Sequence, residues 1–325
     1  MKNRLLMMIG NFILLAVPAS LTYILLFCPG DISANRTEGR IVFGATYMTM
    51  NNPYYQVLDI QLRSEIEERG DVLLTRDAAM NQSRQNEEIR ELIEAGVQAI
   101  FLTPVEWDTS EEGLRIAARA NIPVIVIDAP VRNTELTACS VLSDNYRAGA
   151  LCAEDLLKTR DSANIILLEH ITARSGAERI QGFLDTIREK ADFERFKIVG
   201  SGESDGQIEN AMPVMEKLLK QAPDADTVMA LNDPSAFGAL AAIEGAGLAD
   251  RFLVYSVDGS PEAKALVRDE LMTATCAQFP YKIAKEAAEQ AYNAIGPGCE
   301  RHEIIIPVEL LTAETVEPYA TTGWQ

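Results

Sequence analysis

The chain has 325 residues, 47% of them apolar and 24% charged, which is length enough for two domains with separate cores and a composition ordinary for folded protein. Its net charge of -19 argues against a nucleic-acid partner and against adhesion to anionic lipid, since both attract basic surfaces, and leaves a neutral small ligand open. Five cysteines without C-x-x-C spacing, and His170 and His302 as the only histidines, argue against a zinc site, a dense disulfide framework and a histidine-rich metal centre.

At the front, Lys2 and Arg4 precede an apolar run from Leu5 to Phe27, about 23 residues where roughly 20 suffice to span a bilayer as a helix. Basic residues before the run and Asp31 after it predict a cytoplasmic N-terminus with the remainder outside the cell membrane. The run is longer than the apolar core of a cleaved signal peptide, so an uncleaved signal anchor over residues 1–30 is the favoured reading. The rival is a lipidated Cys28, although Phe27 stands where lipoprotein signals place a small residue. Residues 31–40 are polar and read as a short tether.

From Ile41 onward, strand and helix alternate. Ile41 to Ala45 is an apolar strand that breaks into Asn51-Asn52-Pro53 and restarts as a helix, with Asn52 at the N-cap position and Pro53 at the first helical position. Further strands are predicted at Val72–Leu74, Ala99–Leu102, Pro123–Ile127, Ala138–Leu142, Asn164–Leu168, Lys197–Val199, Thr227–Ala230 and Phe252–Val257. Helices separate most of them, for example Asn86 to Ala95 with Ile89, Leu92 and Ile93 on one face. Strands such as Val124-Ile125-Val126-Ile127 are continuously apolar, as parallel strands covered on both faces are, so the predicted class is doubly wound α/β.

What ends these strands points to chemistry. Thr103-Pro104, Asp128, Asn232-Asp233-Pro234 and Asp258-Gly259 each close an apolar strand with a hydrogen-bonding residue and a turn former. Turn preference explains each one alone; together with Asn52, on the rim where open α/β sheets bind ligands, they form a set. Tyr54 and Tyr55 add two rings to that rim, a combination suited to a ligand with apolar faces and hydroxyl edges such as a sugar. Arg179 lies in a helical segment beginning near Thr172, and Gln278 closes the run Met272 to Ala277 just before Pro280.

Taken together, Asn52-Pro53-Tyr54-Tyr55, Asp128, Ser143-Asp144-Asn145, Glu178-Arg179 before Gly182-Phe183, Asn232-Asp233 before Gly238, Asp258-Gly259 and Gln278 before Pro280 resemble the periplasmic sugar-binding proteins of the ribose and galactose type. The resemblance implies a type I periplasmic-binding-protein fold, two Rossmann-like lobes joined by a three-segment hinge that close on the ligand, here preceded by one N-terminal transmembrane helix. Carried over, the N-terminal lobe is residues 41–143 plus 279–309 and the C-terminal lobe 144–278 plus 310–325, with crossings near Ser143-Asp144, Gln278-Phe279 and Glu309-Leu310.

The family's ligand residues then fall on Asn52, Tyr54, Tyr55, Thr103, Asp128, Arg179, Asn232, Asp258 and Gln278, with no metal, no cofactor and no catalytic residue implied. The carboxylates would accept from paired hydroxyls and Arg179 would donate a fork. Departures from the pattern are Ala129 where an arginine follows the strand-end aspartate, Thr103 where asparagine is common, Met48 where a small polar residue often stands, and no aromatic residue between Glu203 and Gln207; Glu106 and Trp107 are candidates to compensate. An enzyme is disfavoured because no nucleophile elbow, phosphate loop or metal-ligand spacing occurs, and a regulator because a membrane span stands where a DNA-reading segment would. Two binding roles remain: capture of a pentose or hexose for the membrane subunits of an ABC importer, or, as the alternative, sugar sensing by docking on a membrane histidine kinase.

Overall fold

The computed structural model describes residues 39–191, 194–296 and 301–325. The expected anchor, the tether up to residue 38 and Cys28 lie outside these; among the described residues no helix is long and apolar enough to cross a membrane. Ile41 to Gln325 form one compact unit.

Strand β1 (Val42–Tyr47) leads through the Asn52 cap into α1 (Pro53–Glu67), and the alternation continues with β2 (Val72–Asp77), α2 (Gln82–Glu94), β3 (Ala99–Leu102), α3 (Glu111–Arg119), β4 (Val124–Asp128) and β5 (Cys139–Ser143). The second series is α4 (Asn145–Thr159), β6 (Ala163–Glu169), α5 (Arg174–Lys190), β7 (Phe196–Glu203), α6 (Ile208–Gln221), β8 (Thr227–Ala230), α7 (Asp233–Gly245), β9 (Leu253–Asp258), α8 (Pro261–Arg268) and β10 (Ala274–Ala277), followed by α9 (Pro280–Ile295), β11 (His302–Ile306) and β12 (Glu309–Thr312). Local chemistry sets most helix starts. Asn52, Asn81, Asp144, Asn232 and Ser260 each accept a bond from a first-turn backbone N–H, and proline stands at the start of α1, α7, α8 and α9.

Two sheets result, in the orders β11-β5-β4-β3-β1-β2 and β12-β10-β9-β8-β6-β7. Every pairing is parallel except β12 on β10. Reversal of strand order beside β1 and beside β6 makes each sheet doubly wound and leaves a crevice beyond the strands' carboxyl ends, and the two crevices face each other. Apolar clusters cover both faces of each sheet, which is why the central strands are buried along their whole length.

The chain passes between the sheets at Asp144, where β5 hands over to α4, after Gln278, and between Ile306 and Glu309. The third passage corrects the expected one. Glu309 pairs with Ala277 in the second sheet, so the lobe boundary falls at Pro307-Val308 rather than at Glu309-Leu310. Pro307 cannot donate to a ladder, and pairing is handed from one sheet to the other across it. Helix α2 also starts earlier than the predicted Asn86, because Asn81 caps it at Gln82, and α5 starts at Arg174 rather than near Thr172.

Candidate functional site

The facing crevices bound a cleft lined from one lobe by Asn52, Tyr54, Tyr55 and Asp128 and from the other by Arg179, Asn232 and Asp258, with Gln278 at a crossing. Every side chain that the strand-end pattern and the resemblance singled out is brought there except one. Thr103 is fully buried beneath the rim and does not reach the cavity; its N–H and C=O are bound to Thr46 and Gln85 at the end of β3. The chain beyond it runs beside the start of α2, where the Val105 and Glu106 N–H groups donate to the Gln85 and Gln82 side chains, and the Thr103 hydroxyl is buried without a partner.

The two aspartates sit at equivalent places, the last residues of β4 and β9, and both have positive φ, 69° for Asp128 and 142° for Asp258. Non-glycine residues hold such conformations only where the surroundings over-determine them, a pattern that clusters at ligand sites. Asp128 accepts the Tyr55 hydroxyl through Oδ2 at 3.1 Å, while its buried Oδ1 has no partner. Asp258 accepts the Gln278 amide at 2.8 Å through Oδ1, which lies 3.5 Å from Arg179 Nη1. Gln278 Oε1 is likewise buried without a partner.

Arg179, 4% exposed, is held rigidly: Nε donates to Asn145 Oδ1 at 2.9 Å and Nη1 to the Leu231 carbonyl at 3.0 Å. Its helix can come this close to α4 because glycines stand at the contact. A Cβ at Gly149 would lie 1.7 Å from the Arg179 carbonyl oxygen, and one at Gly182 2.0 Å from that of Tyr146. Asn232 caps α7 through Ser235 N–H and donates to the Gly206 carbonyl, so its amide shapes the rim as well as facing the cavity.

One guanidinium faces several buried carboxylates. Burial pushes the Asp258 carboxyl well above the usual carboxylate range, Asp233 adds to that and Arg179 opposes it. Burial likewise raises Asp128, against Arg179 and the Tyr55 hydroxyl. Asp233 is raised by burial as well, although Ser256, Ser260 and Thr275 all donate to it.

His170, Ser175 and Gln207 also line the cavity and were not singled out from the sequence. His170 follows the apolar run of β6, so the strand-end rule applied to that strand would have found it. Burial holds its imidazole below the ordinary histidine value. Trp107 does not compensate for the absent aromatic. It sits at the lips, with Arg132 of its own lobe 5.9 Å and Arg174 of the other 5.2 Å from its ring, and its backbone N–H donates to the Thr172 carbonyl at 3.2 Å. Asn51 meets Gln207 across the same gap at 2.7 Å, so the lobes are closed over the cavity. Tyr54 meets two rings edge-on, Tyr55 and Trp324, each at 5.6 Å between centroids, and Trp324 is brought from the far end of the sequence.

Residues 43–298 match the model of the periplasmic binding protein domain family. The chain belongs to that family. Among curated periplasmic binding proteins, the ribose import binding protein of Bacillus subtilis (strain 168) is 30% identical over 282 residues, 86% of this chain and 89% of that protein. The galactofuranose-binding protein of Escherichia coli (strain K12) is 31% identical over 244 residues, 72% and 74% of the two chains. Among solved structures, an ABC transporter solute binding protein from Bacillus halodurans with bound myo-inositol superposes with a TM-score of 0.80 at 23% identity, covering 86% of this chain and 97% of that one, a likeness of fold.

Proposed function

We propose that this periplasmic binding protein captures a monosaccharide, a pentose or hexose, in the cleft between its lobes and delivers it to an ABC importer. The observation that carries the ligand class is the pairing, in one closed cavity, of Tyr54 and Tyr55 with buried acceptors that lack protein partners, Asp128 Oδ1 and Gln278 Oε1. A ring with hydroxyl edges supplies donors to both and an apolar face to an aromatic side chain. Arg179, with Nε and Nη1 engaged, keeps Nη2 for a ligand oxygen, and Asn52, Asn232 and Asp258 complete the polar wall.

Closure is the mechanism. Ligand contacts from both lobes favour the closed arrangement over the open one, a population shift whose size is the difference in affinity between the two. The import role draws support from the curated relatives, which are named for ribose import and galactofuranose binding. The apolar run Leu5 to Phe27 supports anchoring at the outer face of the cell membrane.

A thermal-shift screen of the purified full chain against pentoses, hexoses and polyols tests the reading. Stabilisation grows with the logarithm of ligand concentration over Kd, so a ligand at about 1,000 Kd is expected to raise the midpoint by several degrees. A folded chain that shifts with none of them would end the sugar assignment.

A further inference from the structure

The cleft does not end at the polar cavity. Beside it lies a second chamber of about 220 Å³, and the two share Asn52, Gly206, Gln207 and Asp258 in their walls. Of the remaining walls, Asn51, Glu209, Ser260 and Glu262 are polar and the rest are apolar. Pro53 and Ile208 come from helix starts on opposite lobes, Pro234 and Phe237 from α7, and Trp324 from the C-terminal stretch. Such surfaces gain from covering by apolar atoms.

The Trp324 wall is built rather than loose. Lys264, 1% exposed, donates Nζ to the Gly323 carbonyl at 2.7 Å and to Gln325 Oε1 at 2.8 Å, and the Gln325 amide donates to the carbonyls of Asp258 and Gln278. These bonds tie the stretch carrying Trp324 to the two residues that close the cage. The charged groups in the chamber wall, Glu209, Glu262 and Asp258, are all acidic, which disfavours an anionic occupant.

We infer that this protein takes a sugar bearing an uncharged apolar substituent, an alkyl or aryl aglycone, with the sugar ring in the polar cage and the substituent in the second chamber between Ile208, Phe237 and Trp324. The inference rests on the sugar-binding reading and names a substrate class within it.

The test is calorimetry and thermal shift on the full chain with a panel of monosaccharides and the α- and β-phenyl glycosides of each. At least one phenyl glycoside is expected to bind as tightly as its parent sugar or more tightly. Ile208→Glu, at an exposed position outside the cage, is expected to weaken that glycoside by about tenfold while leaving the parent unchanged, since it replaces an apolar part of the wall with a group that stays hydrated. Phe237→Ala is expected to act in the same direction by removing the ring from the wall. If parent sugars bind and every phenyl glycoside is about a hundredfold weaker, the aglycone chamber is refuted and the cage reading stands. A phenyl glycoside whose affinity neither substitution changes would place the aglycone elsewhere and also overturn the inference. Silence of both sugars and glycosides would remove the cage and the chamber together.

Discussion

Asp128 and Asp258 carry opposed demands: each is buried and each sits at positive φ, yet Asp258 has protein partners on both oxygens while Asp128 Oδ1 has none. A ligand hydroxyl supplies what Asp128 Oδ1 lacks, so the unfavourable burial of the empty site becomes a difference in affinity on closure. Asp258→Ala removes an acceptor bonded to Gln278 and paired with Arg179. It is expected to weaken sugar binding by about 1.5 to 3 kcal/mol, the usual scale for a hydrogen bond to a charged group. Calorimetry giving unchanged affinity would show that the cleft is assigned wrongly. Thr103 teaches the converse lesson: a hydrogen-bonding residue at a strand end reaches the cavity only if the chain beyond it leaves that end uncovered, and Gln85 covers this one.

At the scale of elements, α4 and α5 form a glycine-mediated crossing that sets the height of Arg179 in the cavity. Gly149→Ala places a methyl group 1.7 Å from the Arg179 carbonyl oxygen, which is backbone and cannot rotate away. The helices must part. The expected result is a loss of stability of about 1 to 3 kcal/mol from overpacking, with sugar affinity falling as Arg179 moves off Asn145 and Leu231. Denaturant unfolding together with calorimetry checks both; full stability with full affinity would mean that the crossing does not position Arg179. The Pro307-Val308 passage is another element-scale device, ending one sheet's pairing and starting the other's within two residues.

For the whole molecule, the buried carboxylates predict how stability follows pH. Asp128, Asp233 and Asp258 are all raised in the folded state, so at neutral pH the folded chain holds protons more tightly than the unfolded one. Their contribution is fully present below the unfolded carboxylate value and is lost as pH rises through the folded values. Glu154 runs the other way. Hydrogen bonds from Arg147 and Lys190 lower it from 4.5 to about 2, so its contribution is present above 4.5 and lost as pH falls towards 2. The carboxylate contribution is therefore expected to grow as pH falls from neutrality toward the ordinary carboxylate value, opposed by His170, whose lowered imidazole favours the folded chain above the ordinary histidine value. The Glu154 contribution is expected to be lost below 4.5. Denaturant midpoints measured across that range check this, and Asp258→Asn is expected to flatten the rise on the acidic side. An Asp258→Asn profile parallel to that of the unsubstituted chain would contradict the burial of this carboxylate.

How much of this was legible in the sequence depends on the range of the interactions involved. Alternating apolar runs, the Asn52-Pro53 start and the polar residues closing β4, β8 and β9 are local signals, because caps, turns and strand burial are written within a few residues, and they carried the α/β class and most of the cavity wall. The family resemblance supplied Arg179 and Gln278, which no local rule would have drawn to the same place. What only the tertiary structure decided involves partners far apart in the chain: the covering of Thr103 by Gln85, the antiparallel docking of β12 on β10, the placement of Trp107 at the lips, and the reach of Trp324 across to Tyr54. Each depends on close packing between segments whose separation in sequence carries no periodicity, so the geometry exists only once both lobes are folded and closed.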